Sequence, residues 1–597
     1  MSAGLLGPIA LWVAVVFAVA AVATSRRWAV ILSATASVAA LIVLAGALLT
    51  GDFSLAYVVE TTSLSTPWPY RLAALWGGMD GSMLFYTTML LGVSVFALRR
   101  PVPVRTAGTV GLGLLLITLL FANPFTVLDL PAVDGDGLLA ILQHPAMIYH
   151  PPILYLGLTT LIVPFALTVD VAIGGARREI WMRRARRWLY LSWTLLTVGM
   201  AAGANWAYVE LGWGGYWAWD PVENTALMPW IATTAFLHTS RVEETTGGLR
   251  RWNLAFAMIP FALTVMGVYL TRSGVTGSIH SFAEDPAVGR VLLISAAVVT
   301  IFALTLAFRS PPGEPSTGLR LDRNGWLALN AVLLTSGLVF VTAGSAYPAF
   351  ASVFGGESVA VDTRFFVVTM LPIGVLVAVA VALAIRENVV AFLFVATLSA
   401  AIVFVVVGAR VGVVLFAPAV AAVSLLAAGL VTSRVRGRRL TIFLAHLGMA
   451  LFLVAVAGSS FGDQFSGSMM PGDTVTVSGH EVSLRAVSTG EGDRFVYVRG
   501  DFDVDGVRMS PEIRAYEDQG VPVSEPVLRP GLTDDVMVAI SLLFPDAETV
   551  EVSVFVRPLV SWVWLGVALM GLAGLFALVL RGGAAARQRR SAIAVRR

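Results

Sequence analysis

The chain of 597 residues contains no cysteine and no lysine; all 40 of its basic residues are arginine. Without cysteine there is no disulfide, thiol nucleophile, thiolate metal site or iron–sulfur cluster. Without lysine there is no Schiff-base amine and no phosphate-binding P-loop. Charge is scarce as well: 13% of residues are charged, 57% are hydrophobic, and the mean hydropathy is +0.82. A soluble domain of this length does not have that balance, so the composition is that of a polytopic membrane protein. The net charge of +3 comes with arginines clustered in short loops, which excludes nucleic acid as a partner. The residues able to bind a metal reduce mainly to six histidines: His144, His150, His238, His280, His446 and His480.

Apolar stretches long enough to span a bilayer recur near 5–24, 28–49, 81–98, 106–122, 152–173, 188–208, 222–239, 253–271, 288–308, 326–345, 364–385, 388–408, 411–432, 441–460 and 559–580. The first has no basic residue ahead of it and is followed by Arg26-Arg27, so it reads as a retained span and not a cleaved signal. Arginine-rich loops alternate with arginine-poor ones, which places the N-terminus outside and the C-terminus inside. Between 461 and 556 the hydrophobic period changes to two, as in Thr474-Val475-Thr476-Val477 and Phe495-Val496-Tyr497-Val498, with Asp505-Gly506 as a hairpin turn. The expected architecture is an all-α polytopic membrane protein of about fifteen transmembrane helices. Residues 1–460 form the first fourteen, 461–556 a small β-rich outside domain, 557–580 the last span, and 581–597 a basic inside tail.

One outside loop stands apart. Residues 205–230 hold Trp206, Trp213, Trp217, Trp219 and Trp230, with Tyr208 and Tyr216 between them and Asp220-Pro221-Val222-Glu223-Asn224 after them. One or two indoles at a membrane interface anchor a helix end. A glycine-spaced cluster of flat rings suits a large planar ligand. Asp220 as N-cap, Pro221 at the first position and Glu223 at the third start a helix. His238 lies seventeen residues on, about 26 Å down that helix. His446 lies seven residues after Arg439, about 10 Å from the opposite basic edge. A buried neutral histidine in a span is often satisfied by a backbone carbonyl. Two at matched depth on different helices fit the axial ligands of a haem iron.

His150 and His280 form a second pair at the outside face, flanking the Trp-rich loop in sequence. Pro151 is expected to push His150 out of helix. Each alone reads as an exposed loop histidine; beside a tryptophan platform they suggest a second bis-histidine site. His144 is an alternative to His150, and His480, in a Ser-Gly-His turn, reads as solvated. Arg71 and Arg272, at outside helix edges, are candidates either to anchor helix ends or to clamp porphyrin propionates.

The stretch from Trp213 to Asn224 resembles the tryptophan-rich signature of the haem-handling proteins of cytochrome c biogenesis. Tyr70 to Leu84, His150 to Tyr155, Leu270 to Pro286, Leu444 to Gly448 and Arg557 to Trp564 resemble the large haem lyase component of the bacterial cytochrome c maturation system, the CcmF family. One departure is visible: the family's Trp-Gly-His-Glu-Gly-Ser reads Trp76-Gly77-Gly78-Met79-Asp80-Gly81-Ser82, with methionine in place of histidine.

The resemblance implies a bis-histidine haem b between His238 and His446 inside the membrane, and a haem in transit on His150 and His280. Trp206, Trp213, Tyr216, Trp217, Trp219, Asp220, Glu223 and Asn224 would form its platform. It implies a lyase that takes haem from a periplasmic haem chaperone and joins its vinyl groups to the Cys-x-x-Cys-His segment of apocytochrome c. Thioreduction subunits would assist, and the inner haem b, supplied by quinol, would reduce the haem in transit. A bacterial inner-membrane location with a periplasmic active face follows. Two other readings compete: a haem transporter, and a quinol–haem oxidoreductase that needs only the inner pair.

Overall fold

The computed structural model describes residues 2–275, 286–314, 322–353, scattered residues between 361 and 380, and 438–594 except 461, 493, 517–521 and 544–548. The helices in order are α1 (Ala3–Thr24), α2 (Arg27–Thr50), α3 (Ala56–Thr61), α4 (Trp68–Gly77), α5 (Met79–Ala97), α6 (Pro101–Phe121), α7 (Ala146–Thr159), α8 (Ile162–Ala172), α9 (Arg178–Glu210), α10 (Pro221–Thr246), α11 (Arg250–Arg272), α12 (Pro286–Arg309), α13 (Arg323–Val353), α14 (Arg438–Ser459) and α15 (Val560–Ala594).

Ten helical segments in the described residues are long and apolar enough to cross a membrane: α1, α2, α5, α6, α7 with α8, and α11 to α15. This is an integral membrane protein. The expected fifteen spans are not all among the described residues. The expected spans at 388–408 and 411–432, and most of 364–385, lie outside the described residues. The two at 188–208 and 222–239 fall on α9 and α10, which are long helices but not among the ten. Tryptophan, threonine, asparagine and histidine make these two less apolar than a lipid-facing span, because they are central and use those side chains inward. Trp193 and Trp230 stack with centroids 5.7 Å apart. Each donates its indole N–H across to the other helix, Trp193 to Thr234 Oγ1 and Trp230 to Thr197 Oγ1. α10 also packs on α11 and α13, and α14 packs on α15, which lies along α9.

At one face, buried charge is paired across helix ends. Arg100 meets Asp170 at 2.7 Å, Arg186 meets Glu244 at 2.5 Å, and Arg178 meets Glu243. Arg186 is nearly fully buried and also donates to the Ser240 carbonyl, so its charge is not left alone. The opposite face carries the β-rich part. One antiparallel sheet runs β1 (Asp463–Met469), β10 (Val550–Pro558), β9 (Asp534–Leu543), β8 (Val527–Arg529). The other runs β2 (Thr474–Val477), β3 (His480–Glu491), β4 (Phe495–Val504), β6 (Glu512–Tyr516), β7 (Val523–Glu525), with β5 (Val507–Met509) on β4. Alternate residues of both sheets, such as Leu484, Phe502 and Val504 against Val538, Ile540 and Val552, bury one shared core. Asp505 and Gly506 both take positive φ, the two-residue turn that joins β4 to β5.

Three local expectations change. His150 is inside α7 and not in a loop. Pro151 removes the N–H that would bond the Met147 carbonyl, and Trp76 Nε1 supplies the missing donor at 2.8 Å, so the helix continues through the proline. His480 is not solvated: its ring nitrogens face Asp505 at 2.7 Å and Asp534 at 3.4 Å, tying the two sheets together. The last helix runs on to Ala594, through most of the stretch expected as a tail.

Candidate functional site: two histidine centres joined by one helix

α10 begins where the sequence places it. Asp220 and Glu223 form a reciprocal capping box, with Pro221 in the first turn. Glu223 Oε2 accepts from the backbone N–H of Ala218 and of Asp220, and Asn224 Nδ2 donates to the Trp219 carbonyl and to Ser345 Oγ, each at 3.0 Å. These bonds of Glu223 and Asn224 fold the Trp-rich loop onto the helix start. Trp219, held at φ 57°, stacks flat on Phe366 with centroids 5.1 Å apart and planes 2° from parallel. Trp217 stands edge-on to Trp219, and its buried Nε1 has no partner among the described residues.

The other half of the loop rests on the β-sheets. Tyr208 donates to Asp535 Oδ2 at 3.1 Å, and Arg557 Nε donates to the Gly214 carbonyl at 2.8 Å. Gly214 sits at φ 70° with the Phe555 ring where a Cβ would be. Tyr216 lies between Tyr208 and Trp564 and shares a hydrogen bond with Ser459. Burial raises the Asp535 carboxyl above the ordinary range. Trp213 is exposed, at 37%, and Tyr216, Trp217 and Trp219 are half-buried.

Down α10, His238 faces His446 of α14 with ring centroids 6.1 Å apart. A metal–imidazole bond is about 2 Å, so two axial rings on one iron stand about 6 Å apart from centroid to centroid. His446 Nδ1 donates to the Ile442 carbonyl at 2.7 Å, which leaves Nε2 as its ligand nitrogen. His238 Nδ1 is buried and unpaired, and fully buried Asn330 of α13 stands beside it with an unpaired Oδ1. The donor set and spacing fit a bis-histidine haem.

His150 lies at the β-domain face. Its Nδ1 donates to the Gly199 carbonyl of α9 at 2.8 Å, and Gly203 lies so close that a Cβ there would be 2.5 Å from the ring. The ring lines a cavity of about 190 Å³ with Trp76, Tyr86, Tyr155, Trp206 and Arg272. Arg272 donates to Ser82 Oγ at 2.5 Å and to Tyr155 at 3.4 Å, so it is positioned at the cavity wall. Arg71 is not. Its three donor nitrogens bond the carbonyls of Thr66, Leu49 and Leu64, which makes it an anchor of the 61–67 loop. His144 Nδ1 accepts from the Ala146 N–H, and its Nε2 faces Glu210. His280 lies outside the described residues. Met79, at the departure from the family pattern, opens α5 and packs into the core.

Trp76, Phe366, Asn330 and Asp535 were not singled out as site residues by sequence reading, because each matters through a partner distant in the chain. Glu210 did carry a signal: it is an acid four residues after Trp206, at the end of a long helix.

Both parts of this architecture match known families. A family model described as cytochrome C assembly protein matches residues 76–280, and one described as CcmF C-terminal beta-sandwich matches residues 461–558. The class is thus that of membrane proteins of cytochrome c assembly. Among curated relatives, the cytochrome c-type biogenesis protein CcmF of Pseudomonas aeruginosa is 33% identical, covering 90% of this chain and 88% of that protein. CcmF of Escherichia coli is 30% identical over 93% and 92%. A solved structure titled cytochrome c heme lyase CcmF aligns with a TM-score of 0.81 at 25% identity, covering 96% of this chain and 98% of that one. The chain belongs to the CcmF family and acts in cytochrome c maturation.

Proposed function

We propose that the chain is the haem lyase of a bacterial inner membrane, with the β-domain face in the periplasm, the N-terminus outside and the C-terminus inside. It receives haem from a periplasmic haem chaperone over the Trp-rich loop and presents it to the Cys-x-x-Cys-His segment of apocytochrome c, whose thioreduction subunits deliver it reduced. The observation that carries this reading is α10, which starts in the Trp-rich loop and ends its span with His238 facing His446.

His150, and His280 with it, hold the iron of the transit haem. The Gly199 carbonyl fixes the His150 tautomer, and Gly203 lets the ring lie against α9. Trp76, Tyr86, Tyr155 and Trp206 wall the cavity beside His150, and the rings of Trp217 and Trp219 give the loop its flat apolar surface. Arg272 is the cation available to a propionate. The chemistry asked of these groups is positioning: a thiol and a vinyl group held in place react as one molecule. His238 and His446 hold haem b, which when bound supplies one-electron reduction, with quinol as the donor class. Asn330 and the Ile442 carbonyl orient the two rings.

The test is holocytochrome c formation by the full chain in membranes with its partners. His150→Ala and His280→Ala each abolish covalent attachment and leave the intramembrane haem in place. Normal attachment in both variants removes the outer site.

A further inference from the structure

Thioether formation has a requirement that the aromatic platform does not meet. A free thiol titrates near 8.5 and reacts as thiolate, so near neutral pH it needs a base beside it. The chain has no cysteine or lysine to help, and a histidine bound to iron has no lone pair left to act as base.

Glu210 is the last residue of α9, one helical turn beyond the cavity-lining Trp206. That is the wrong end of a helix for a carboxylate, because the backbone carbonyls there present negative charge. Glu525 of β7 adds a second like charge. Arg514 of β6 opposes it, but is engaged with Glu512 and Glu525 at 2.9 Å each. Tyr70 of α4 is a further titratable neighbour. Among the described residues, the ion-pair partner of Glu210 is His144, whose Nε2 stands 3.8 Å from Oε2. The Ala146 N–H, donated to His144 Nδ1, fixes the tautomer, so the Nε2 proton points at the carboxylate. Both side chains are largely buried, at 11% and 27% exposed. Their chain neighbours line the cavity: His144 lies between Leu142 and Ala146, and Glu210 follows Trp206 by one helical turn. Burial, with Glu525 second, raises the Glu210 carboxyl to about 7, and burial lowers His144, so the pair is poised where a base is useful.

We propose that Glu210, oriented by His144, is the proton-exchange group of the attachment reaction, taking the proton from the incoming thiol and returning it to the vinyl carbon. The step balances without an added reactant. The S–H bond and the vinyl π bond break. A C–S bond forms at the vinyl carbon next to the porphyrin, and a C–H bond forms at the terminal carbon. No net electron is gained or lost. A contact of 3.8 Å closes through a small side-chain rotation or one bridging water. The inference rests on the lyase reading above.

The experiment follows holocytochrome c formation against pH, from 6 to 8.5, by the full chain in membranes with apocytochrome c and haem chaperone. The intramembrane haem spectrum reports folding. The parent rate rises with pH through about 7 as the carboxyl ionises. In Glu210→Gln the inner haem is unchanged, attachment falls about 100-fold, and the rise is lost. Glu210→Asp restores the rise within about tenfold. A Gln variant with inner haem intact, parental rate and parental pH profile overturns the proposal. If Glu210→Gln loses the inner haem, His144→Gln decides, where a flattened profile supports the pair and a parental one overturns it. A parent that attaches no haem at all contradicts the lyase reading instead.

Discussion

The two histidine centres solve different problems with the same side chain. His238 and His446 come from two helices, their rings stand 6.1 Å apart, His446 is oriented by the Ile442 carbonyl of its own helix, and Asn330 of α13 stands beside His238. Everything there is inside one bundle. His150 is pinned to a neighbouring helix, with its ring against Gly203, and its surroundings come from α4, α5, α7, α9, α10 and α11. The Trp-rich loop is held at its end by the capping box and on its other side by Arg557, Asp535 and Phe555 of the β-sheets. On the proposed reading, a resident group is served by two facing histidines from one bundle, and a passing one by one rigid ligand with walls borrowed from several elements.

Single histidine replacements break this contrast most sharply. His150→Ala removes attachment and spares the inner haem, whereas His238→Ala or His446→Ala removes the inner haem itself. Both are read by reduced-haem absorbance and holocytochrome c yield. Next is Gly203→Val, which drives the His150 ring off α9. Because misplacement by about 1 Å costs around 100-fold in a positioned reaction, attachment should fall by that order with the inner spectrum unchanged. Asn330→Leu addresses the other centre: haem retention weakens about 10–100-fold, as for other orienting partners of a metal-bound histidine, and attachment follows only as far as the inner haem is lost. Trp76→Phe leaves the Met147 carbonyl without its donor, a loss of about 1–3 kcal/mol, read as a lower melting temperature. Asp220→Ala removes the cap of α10 and costs about 1 kcal/mol, the smallest effect of the set.

Much of this was legible in the sequence. Asp220, Pro221 and Glu223 fix where α10 starts, and 1.5 Å per residue then places His238 at the depth of His446. The period-two strands and the Asp505-Gly506 turn announce the β-rich part. What could not be read depends on partners far along the chain. Pro151 looked like a helix breaker because nothing local shows that Trp76 supplies its missing donor. That Glu223 Oε2 and Asn224 Nδ2 also bond the loop backbone is not visible locally in the sequence. Arg71 and Arg272 looked alike; three carbonyls claim the first, and the cavity wall keeps the second.

The most direct measurement is the haem content and absorbance spectrum of the purified full chain and its single variants at His150, His238 and His446. The account predicts a low-spin bis-imidazole haem b in the parent and in His150→Ala, and its loss in His238→Ala and in His446→Ala. A haem b spectrum that survives in His238→Ala, or vanishes in His150→Ala, contradicts the division of the two centres.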